Sequence, residues 1–489
     1  MPRKKPVTVA MVSLGCPKNL VDSERMLAGL TLGGFAVTDD PDGADVAVVN
    51  TCAFIDLARA ESDRHLDELE ALKRAGRLGR LVVAGCMAQR YGRRILRRHP
   101  GVDAIVGVGE REALAEVCRE LIAAPKETHG RARPAVAHRK GKSTAESKAA
   151  TPVIRVGPMP ETPPDDRERL RLTPRHYAYL RVSEGCDNRC AYCAIPEIRG
   201  PLRSKPPEQI LAEAQELVAD GAKEIILIGQ DTTGYGSDFP NAKTSPRHCR
   251  GMSSDAKQAT ASGWSLGRLL AELREKVHVP WLRIMYAHPA SFGDDVIRQL
   301  RAGLPLVPYV DLPLQHINDE ILAGMGRRAG RAGIERLIRR VRRAAPGVAL
   351  RTSFIVGYPG ETDEQFEELV AFVEKVRFDQ VGVFMYSPEK GTRAAALPAR
   401  VPAAVARRRW ERLMQLAEGL AHRAAHRRIG QELDVLVDGT DELGRLLARH
   451  AGQAPEVDSV VILEPGRAAP GTFARVRIVG ADGYDLVGE

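Results

Sequence analysis

Residues 176–200 read HYAYLRVSEGCDNRCAYCAIPEIRG, and this stretch decides the fold. It begins with an alternating run, His176–Val182, which predicts a β-strand. A glycine then opens a loop with three cysteines at the spacing C-x3-C-x2-C: Cys186, Cys190 and Cys193. Three thiolates this close in sequence can hold three corners of one iron–sulfur cluster and leave one iron open to a ligand. A zinc site is the alternative, but structural zinc usually has a fourth Cys or His ligand, and none follows at that spacing.

The residues that follow repeat the alternation of strand and helix. Six apolar runs, separated by amphipathic patterns, predict a partial (βα)6 barrel over residues 172–402. Residues 237–263 interrupt the pattern and are polar, which predicts a surface insertion. The predicted strands are His176–Val182, Glu224–Ile228, Trp281–Tyr286, Tyr309–Leu312, Ala349–Ile355 and Gln380–Phe384.

Residues 5–123 also alternate strand and helix, which predicts a flavodoxin-like α/β domain with a parallel sheet. Three of its predicted strands end at cysteines, Cys16, Cys52 and Cys86. Ligands in open α/β sheets bind beyond the carboxyl ends of the strands, so these thiols are predicted to hold a second cluster. A small buried apolar residue is the common alternative for any single cysteine. That alternative is kept for the two remaining cysteines, Cys118 and Cys249.

Three further segments complete the predicted layout. Residues 124–171 are rich in Pro, Ala, Lys, Arg and Ser, which predicts a solvated linker. Residues 403–428 form one Arg-rich helical pattern, which predicts either a solvated connecting helix or a contact for RNA. Residues 429–489 are short strands separated by turns, which predicts a small OB-like β barrel.

Composition restricts the class of protein. A chain of 489 residues with 44% hydrophobic and 28% charged residues is a globular protein of about three domains. No window contains the roughly 18 uncharged apolar residues of a membrane span, and the N-terminus does not resemble a signal peptide. Eight cysteines are too few for a disulfide framework. We therefore expect a cytoplasmic protein without a membrane partner.

The net charge of +9 conceals a change of sign along the chain. Residues 431–489 contain eleven Asp and Glu against five Arg, a net charge of −6. Binding to nucleic acid depends on neutralising phosphates, so this acidic module favours a basic protein partner over RNA. An acidic surface that serves only solubility is the alternative.

The cysteine loop, with Tyr192 before its last cysteine, resembles the radical S-adenosylmethionine (SAM) enzymes. The resemblance implies a [4Fe-4S] cluster on the three thiolates, with SAM bound at the open iron and the protein orienting and shielding it. It also implies that Gly229 and Gln230, after the second barrel strand, contact the methionine amino group, although the Gly-Gly-Glu common in that family is absent.

Two later segments are weaker candidates for SAM contacts. Gly357 and Gly360 could let the backbone approach the adenosine, and a tight turn capped by Thr362 is the alternative. Gln315 and the neighbouring His316 could contact SAM or substrate, or be an ordinary polar strand end. The same two alternatives apply to His288.

The layout of nearly the whole chain is similar to that of the methylthiotransferases, whose C-terminal module is a TRAM domain. That resemblance implies two SAM molecules per turnover and sulfur delivered through a second [4Fe-4S] cluster. The segments SLGCPKNLVDSE at 13–24, 184–200 and YAHP at 286–289 resemble the RimO-type branch. That branch modifies the β-carbon of an aspartate in small-subunit ribosomal protein twelve (uS12). The linker and the insertion depart from the family pattern.

The resemblance also sets expectations for substrate and partners. The aspartate β-C–H bond calls for radical chemistry, so no acid–base residue is predicted. A bidentate arginine could hold the substrate carboxylate, with Arg199, Arg203 and Arg283 as candidates. An ordinary surface arginine is the alternative for each of the three. The expected electron donor is flavodoxin with flavodoxin reductase. Two other functions stay open: a transfer RNA adenosine methylthiotransferase, and an iron–sulfur sensor that binds nucleic acid and does not cleave SAM.

Overall fold

The computed structural model describes residues 5–124, 151–239 and 263–489. The chain divides into two compact units. The first comprises residues up to Met159 together with Glu168–Leu170, and the second comprises Pro160–Arg167 together with Arg171–Glu489. Most of the predicted insertion, with Cys249, lies outside the described residues. No helix in the described part of the chain is long and apolar enough to cross a membrane.

The first unit is a parallel sheet flanked by helices. Its elements are β1 (Thr8–Ser13), α1 (Pro17–Leu32), β2 (Ala36–Thr38), β3 (Val46–Thr51), α2 (Asp56–Arg74), β4 (Arg80–Gly85), α3 (Cys86–Tyr91), β5 (Ala104–Gly107), α4 (Leu114–Ala123) and β6 (Val153–Arg155). The strand order is β2-β1-β3-β4-β5-β6. Strands β3 and β4 are buried throughout, as expected for central strands covered on both faces. The order is flavodoxin-like with one additional edge strand, which confirms the predicted fold.

The predicted linker is wrong for the part of it that the structure describes. Residues Val153–Arg155 form β6, which pairs in parallel with β5. Arg169 is buried and lies 3.1 Å from the Glu24 carboxylate. A strand of three residues gives too short an apolar run to be separated from a linker by composition. Residues 125–150 lie outside the described residues.

The second unit begins with a partial barrel. Its elements are β7 (Tyr177–Arg181), β8 (Ser183–Glu184), α5 (Ile195–Arg199), β9 (Arg203–Ser204), α6 (Pro207–Ala219), β10 (Glu224–Ile228), α7 (Leu266–Lys276), β11 (Trp281–Ile284), α8 (Asp294–Ala302), β12 (Tyr309–Gln315), α9 (Asp319–Gly324), α10 (Arg331–Ala344), β13 (Ala349–Val356), α11 (Asp363–Val376) and β14 (Gln380–Met385). Two parallel three-stranded sheets, β11-β10-β7 and β12-β13-β14, meet through a bridge between Leu282 and Leu306. Six parallel strands with helices between them confirm the predicted barrel.

A long helix and a small barrel follow. They comprise α12 (Ala403–His426), β15 (Glu432–Thr440), β16 (Leu446–His450), β17 (Val461–Leu463), β18 (Phe473–Asp482) and β19 (Asp485–Gly488). The five strands close in the order β15-β16-β17-β19-β18, as expected for an OB-like barrel. Strand β16 was not predicted, because its sequence LLARH has none of the β-branched or aromatic residues that are typical of strands.

Helix α12 is only partly solvated. Arg409 is buried and donates to the Glu361 carboxylate at 2.9 Å and to Asp363 at 2.7 Å. Trp410 Nε1 donates to the Val383 carbonyl of β14 at 2.9 Å. One face of the helix therefore belongs to the barrel, and only the remaining arginines can meet a partner. The exposed ones are Arg407, Arg408, Arg412, Arg423 and Arg427.

The C-terminal barrel closes one end of the partial barrel with buried charges. Arg449 of β16 lies 2.7 Å from the Glu224 carboxylate at the start of β10. Arg283 of β11 binds the same carboxylate at 2.6 Å, and the side chains of Glu224 and Arg283 are both 0% exposed. Asp438 accepts from Arg449 at 2.6 Å and from His176 at 2.9 Å. Glu224 is the first residue of β10 and His176 directly precedes β7, so these contacts lie at the amino ends of the barrel strands, opposite the cysteine loop.

A second set of contacts joins the same two surfaces. Asp458 lies 3.3 Å from Arg351 of β13, which also lies 3.1 Å from Asp311 of β12. The Tyr177 hydroxyl donates to Glu456 at 2.8 Å. Because every one of these groups is charged or polar and most are buried, each depends on its partner across the interface. The C-terminal barrel is thus built into the partial barrel.

Acid should weaken this interface. Burial alone would raise the pKa of Glu224 and of Asp438, but Arg283 and Arg449 around Glu224, and His176 and Arg449 around Asp438, outweigh burial and lower both values. A carboxylate whose pKa is lowered in the folded state stabilises the protein at pH values above its unfolded pKa, which is 4.5 for Glu and 3.8 for Asp. This stabilisation is lost as the pH falls through the pKa of the folded state. We expect the urea concentration at the midpoint of unfolding, followed by circular dichroism, to decrease as the pH is lowered below about 4.5.

The matched variant is Asp438→Asn, whose urea midpoint should depend less steeply on pH in that range. Asp458, whose pKa burial raises, changes in the opposite direction, but it is present in both proteins and cancels in the comparison. Parallel curves for the two proteins would contradict the role assigned to Asp438.

Candidate functional site

The cysteine loop lies at the carboxyl end of the barrel strands. It begins at Gly185, which has φ 77°, and a Cβ placed there would lie 1.9 Å from the Pro201 carbonyl oxygen. Only glycine fits this approach of two backbone segments. The Cys186 N–H donates to the Gly200 carbonyl at 3.2 Å, so both ends of the loop are fixed together.

Each of the three thiols has a hydrogen-bond donor directed at its sulfur. Asn188 Nδ2 lies 3.4 Å from Cys186 Sγ, and the Ile195 N–H lies 3.5 Å from Cys193 Sγ. Arg327 Nη1 lies 3.9 Å from Cys190 Sγ. Donors of this kind stabilise thiolates, which are the form that binds metal.

Burial works against ionisation of two of these thiols. It raises the pKa of Cys186 to about 11 and that of Cys193 to about 12. Burial also raises the pKa of Tyr192, so its phenol stays neutral. At neutral pH these cysteines would hold their protons unless a bound cation displaced them, as metal clusters do.

The thiols are not arranged as a preformed site for a single ion. Zn–S bonds of about 2.3 Å in a tetrahedron place sulfurs about 3.8 Å apart. Within residues 5–124, 151–239 and 263–489, the one group of three metal-ligating side chains whose ligand atoms all lie within 4.8 Å of one another is Asp67, Glu70 and His99. Neither cysteine triplet is that compact, and a cluster on either triplet stays a prediction.

Two buried acceptors lie at the strand ends beside this loop. Gln230 Oε1 and Ser183 Oγ have no hydrogen-bond partner among the described residues. A Cβ on Gly229 would lie 2.7 Å from Ser183 Oγ, so the glycine keeps the two segments close. Asp231, which follows Gln230 in the sequence, accepts from Asn188 Nδ2 at 2.6 Å, and this bond links the end of β10 to the cysteine loop. Buried unpaired acceptors call for a donor, and an ammonium group of a bound ligand would satisfy them.

The turn after β13 is a capped turn. Thr362 and Gln365 form a capping box at the start of α11, which was the alternative offered by the sequence. Gly357 has φ 74°, and a Cβ there would lie 2.6 Å from the Ala406 Cβ. A residue with a side chain at this position would therefore clash with helix α12. Gly360 has φ 87° with nothing within 4 Å of its would-be Cβ. A contact of Gly357 or Gly360 with adenosine stays a prediction.

The other strand-end candidates have different environments. Gln315, half-buried at φ 73°, stays a candidate. His316 is buried, and its ring contacts the Glu361 carboxylate at 3.4 Å and accepts from the Asn318 N–H at 3.0 Å. Burial lowers the pKa of His288 to about 2, so this ring is neutral at physiological pH.

The three predicted carboxylate-binding arginines are occupied by internal partners. Arg199 is 1% exposed and binds Glu184 at 3.0 Å. Arg283 lies at the opposite end of the barrel, between Glu224 and the Ala451 carbonyl. Arg203 donates to the backbone carbonyls of Arg199 at 2.8 Å and of Pro201 at 3.4 Å. The geometry does not support any of them as the substrate contact, because each already donates hydrogen bonds to a buried carboxylate or to backbone carbonyls of this chain.

In the first unit the strand ends that precede the three predicted cysteines lie close together, and a cluster on Cys16, Cys52 and Cys86 stays a prediction. A Cβ on Gly15, beside Cys16, would lie 2.8 Å from the Cys52 Cβ. Asn19 Nδ2 donates to the Leu14 carbonyl at 2.7 Å, and Asn19 Oδ1 accepts from Cys86 Sγ at 3.8 Å. The ends of β1, β3 and β4 therefore meet around one asparagine, as the parallel sheet requires. Cys118, by contrast, is fully buried in the apolar core of this unit.

Sequence reasoning missed the residues that surround the thiols. Asn188 lies within the C-x3-C spacing, and its position was the available signal. Asn19 follows Cys16 by three residues, one helical turn along α1. Arg327 comes from the segment after α9 and had no sequence signal, because its proximity to Cys190 exists only in the fold.

Comparison with known families agrees with these observations. Residues 180–373 match the Radical SAM superfamily, residues 8–107 match the Uncharacterized protein family UPF0004, and residues 429–489 match the TRAM domain. Similar curated proteins include "Ribosomal protein uS12 methylthiotransferase RimO" of Geobacter sulfurreducens, 39% identical over 483 residues, which is 98% of each chain. The protein of the same name from Anaeromyxobacter sp. is 40% identical and spans 98% of this chain and 92% of its own.

A solved structure supports the fold. The radical S-adenosylmethionine methyltransferase TsrM from Kitasatospora setae matches with a TM-score of 0.51 and 15% identity, covering 96% of this chain and 82% of that one. At this identity the likeness shows the architecture alone.

Proposed function

Because this chain belongs to the RimO family of radical SAM methylthiotransferases, we propose that it attaches a methylthio group to the β-carbon of an aspartate in ribosomal protein uS12. The observation that carries the proposal is the cysteine loop at the carboxyl end of the barrel. Its three thiols each have a donor aimed at the sulfur, and the unpaired Gln230 acceptor lies at the next strand end.

Cys186, Cys190 and Cys193 would hold a [4Fe-4S] cluster with one open iron. Together with bound SAM, that cluster supplies the one-electron chemistry that removes hydrogen from an unactivated carbon. The chain's own residues bind and orient: Gln230 and Ser183 offer acceptors to the methionine ammonium, and Tyr192, a neutral phenol, packs beside the thiols. Keeping the reacting groups in one orientation is the protein's main contribution to rate.

Cys16, Cys52 and Cys86 would hold a second [4Fe-4S] cluster through which sulfur is delivered. The support is their convergence around Asn19 at the carboxyl ends of three parallel strands. One SAM would methylate the sulfur and a second would start the radical step, so two SAM molecules are used per turnover.

Charge supports a basic protein substrate. Of the eleven acidic residues at 431–489, Asp438, Glu456 and Asp458 contact the partial barrel, as does Arg449. Eight acidic residues and four arginines remain outside these contacts, so the surface keeps an excess of negative charge. Such a surface attracts a basic ribosomal protein and repels RNA.

We infer action in the cytoplasm, where ribosomes assemble, with electrons from a donor such as flavodoxin and flavodoxin reductase. Contact of the exposed α12 arginines with ribosomal RNA is a further part of this proposal.

A paired anaerobic assay tests the proposal. Reconstituted protein with reductant and SAM would meet uS12 in one tube and unmodified transfer RNA in another, and mass spectrometry would detect one added methylthio group. We expect a modified aspartate in uS12 alone. A modified adenosine alone would make this chain a transfer RNA enzyme, and the absence of 5′-deoxyadenosine in both tubes would favour an iron–sulfur sensor.

A further inference from the structure

Three acidic residues lie along one face of helix α2 in the first unit. Asp63, Asp67 and Glu70 are four and three residues apart, so their side chains follow one another on the same side of the helix. Asp63 and Glu70 are buried, whereas Asp67 is exposed. His99, from the segment between α3 and β5, lies against this face and is 1% exposed. We call Asp67, Glu70 and His99 the α2 triad.

The ring of His99 is oriented by one carboxylate and directed at two others. Its Nε2 lies 3.0 Å from Asp63 Oδ1, and because a carboxylate can only accept, this nitrogen carries the proton. The neutral ring then has a lone pair on Nδ1, which is buried without a hydrogen-bond partner in the described part of the chain. Nδ1 lies 3.4 Å from Asp67 Oδ1 and 3.7 Å from Glu70 Oε2. Three electron-rich atoms therefore face one another, an arrangement that a cation between them would stabilise.

The distances within the α2 triad are those of ligands around one metal ion. Zn–N and Zn–O bonds of about 2.0–2.2 Å in a tetrahedron place two ligand atoms about 3.4 Å apart. A second proton on the ring is the alternative to a metal ion. It would form N–H···O bonds of about 2.7–3.2 Å, which is shorter than either distance from Nδ1. The spacing therefore fits a metal ion better than a hydrogen bond.

Neighbouring residues hold the triad in this arrangement. The Gly101 N–H donates to Glu70 Oε1 at 2.6 Å, which leaves Oε2 directed at the ring. A Cβ on Gly101 would lie 2.7 Å from Glu70 Oε1, so glycine permits this close approach. Asp63 fixes the ring through Nε2, as carboxylates do for many histidines that bind metal. The second oxygen of Asp63 lies 2.6 Å from Arg98 Nη1.

The balance of charge favours a divalent cation. Arg98 compensates the carboxylate that orients the ring, so the negative charges of Asp67 and Glu70 remain. Lys73, on the same helix, lies 2.5 Å from Asp103 and is paired there. An ion of charge two would balance the two remaining carboxylates. Because Asp67 is exposed, such an ion could enter from solvent and keep a water ligand on that side.

We propose that Asp67, Glu70 and His99 bind a zinc ion. Imidazole together with carboxylates suits zinc better than magnesium or calcium, which prefer oxygen ligands alone. The triad lies before the amino end of β5, whereas Cys16, Cys52 and Cys86 follow the carboxyl ends of their strands. The zinc site is therefore separate from the proposed second cluster and does not depend on the proposed function. The ion would tie the C-terminal half of α2 to the segment before β5.

X-ray absorption at the zinc edge tests the site in the complete protein. Reconstituted protein with its iron bound would be equilibrated anaerobically with zinc chloride and desalted, and elemental analysis would count both metals. We expect about one zinc ion per chain, with nitrogen and oxygen neighbours at about 2.0–2.2 Å. Asp67→Ala and His99→Gln should each weaken zinc binding about tenfold or more, measured by competition with a chelating dye, since even loss of an outer-shell partner costs about that much.

Glu68→Ala is the matched control. Glu68 is the exposed neighbour of Asp67 on the same helix and pairs with His65 at 3.5 Å, so its loss should leave zinc affinity unchanged. Sulfur neighbours at about 2.3 Å would overturn the proposal, because the zinc would then lie on cysteines. So would wild-type affinity in Asp67→Ala, an exposed change whose fold circular dichroism would check. So would magnesium binding as tight as that of zinc, or a wild-type protein that retains no zinc at micromolar free concentration.

Discussion

Replacing Cys190 with alanine should abolish formation of 5′-deoxyadenosine from SAM, whereas Cys52→Ala should retain it and lose only methylthiolation. The two cysteines belong to different triplets in different units of the chain, one beside Arg327 and one beside Gly15. If each triplet holds its own [4Fe-4S] cluster, as proposed above, each change removes one ligand of a different cluster, and iron should fall from about eight to about four per chain in either variant. Chromatography of the nucleoside, iron analysis and mass spectrometry of uS12 measure the three outcomes.

Cys118→Ala provides the matched control. This cysteine lies in the core of the same unit as Cys52, and burial raises its pKa to about 12, as expected for an inert structural thiol. Its replacement should leave the iron content and both reactions at the wild-type level. If Cys52→Ala lost 5′-deoxyadenosine as completely as Cys190→Ala, the N-terminal cysteines would not form an independent cluster.

Arg449→Ala should lower the free energy of unfolding by about 3–5 kcal/mol, the usual cost of removing one partner of a buried ion pair. Glu224 would then keep only Arg283, and Asp438 only His176, in a region where the Arg449 and Glu224 side chains are 1% and 0% exposed. Urea denaturation of the variant, followed by circular dichroism, measures the change. Arg475→Ala removes an exposed arginine that pairs with Asp434 of the same barrel, and it should leave the urea midpoint close to that of wild type, because water screens an exposed ion pair.

A double variant separates ion pairing from simple loss of volume. If Arg449 stabilises the protein through Glu224, then Arg449→Ala combined with Glu224→Gln should cost less than the two single changes together. Additive costs, or equal effects of Arg449→Ala and Arg475→Ala, would show that the buried network does not hold the C-terminal barrel in place.

The part of the site that follows from strand ends could be predicted from the sequence. Parallel sheets bring the carboxyl ends of their strands to one edge, so Cys16, Cys52 and Cys86 could be placed together from three apolar runs. The Cys186 loop needed only its own spacing. The two barrels and the helix between them followed from hydrophobic periodicity and turn residues.

The arginines show where that reasoning stops. Arg283 was a candidate for the substrate carboxylate because it stands on a barrel strand, but one of its partners is the carbonyl of Ala451, far along the chain. The same limit applies to Arg199 and Arg327. Arg199, a predicted substrate contact, is bound by Glu184, and Arg327, which was not predicted, lies beside Cys190. The partner of a charged side chain is a long-range property, and a single sequence carries no signal for it.

The buried contacts of Arg449 and Glu224 have a consequence for what can enter the barrel. The Arg449 and Glu224 side chains are 1% and 0% exposed, so water is excluded from the interface between the two barrels at this point. We therefore expect SAM and substrate to enter on the side of the carboxyl ends of the strands. A radical formed there would be protected from quenching through the far end, and oxygen sensitivity should depend on the residues that cover the cysteine loop.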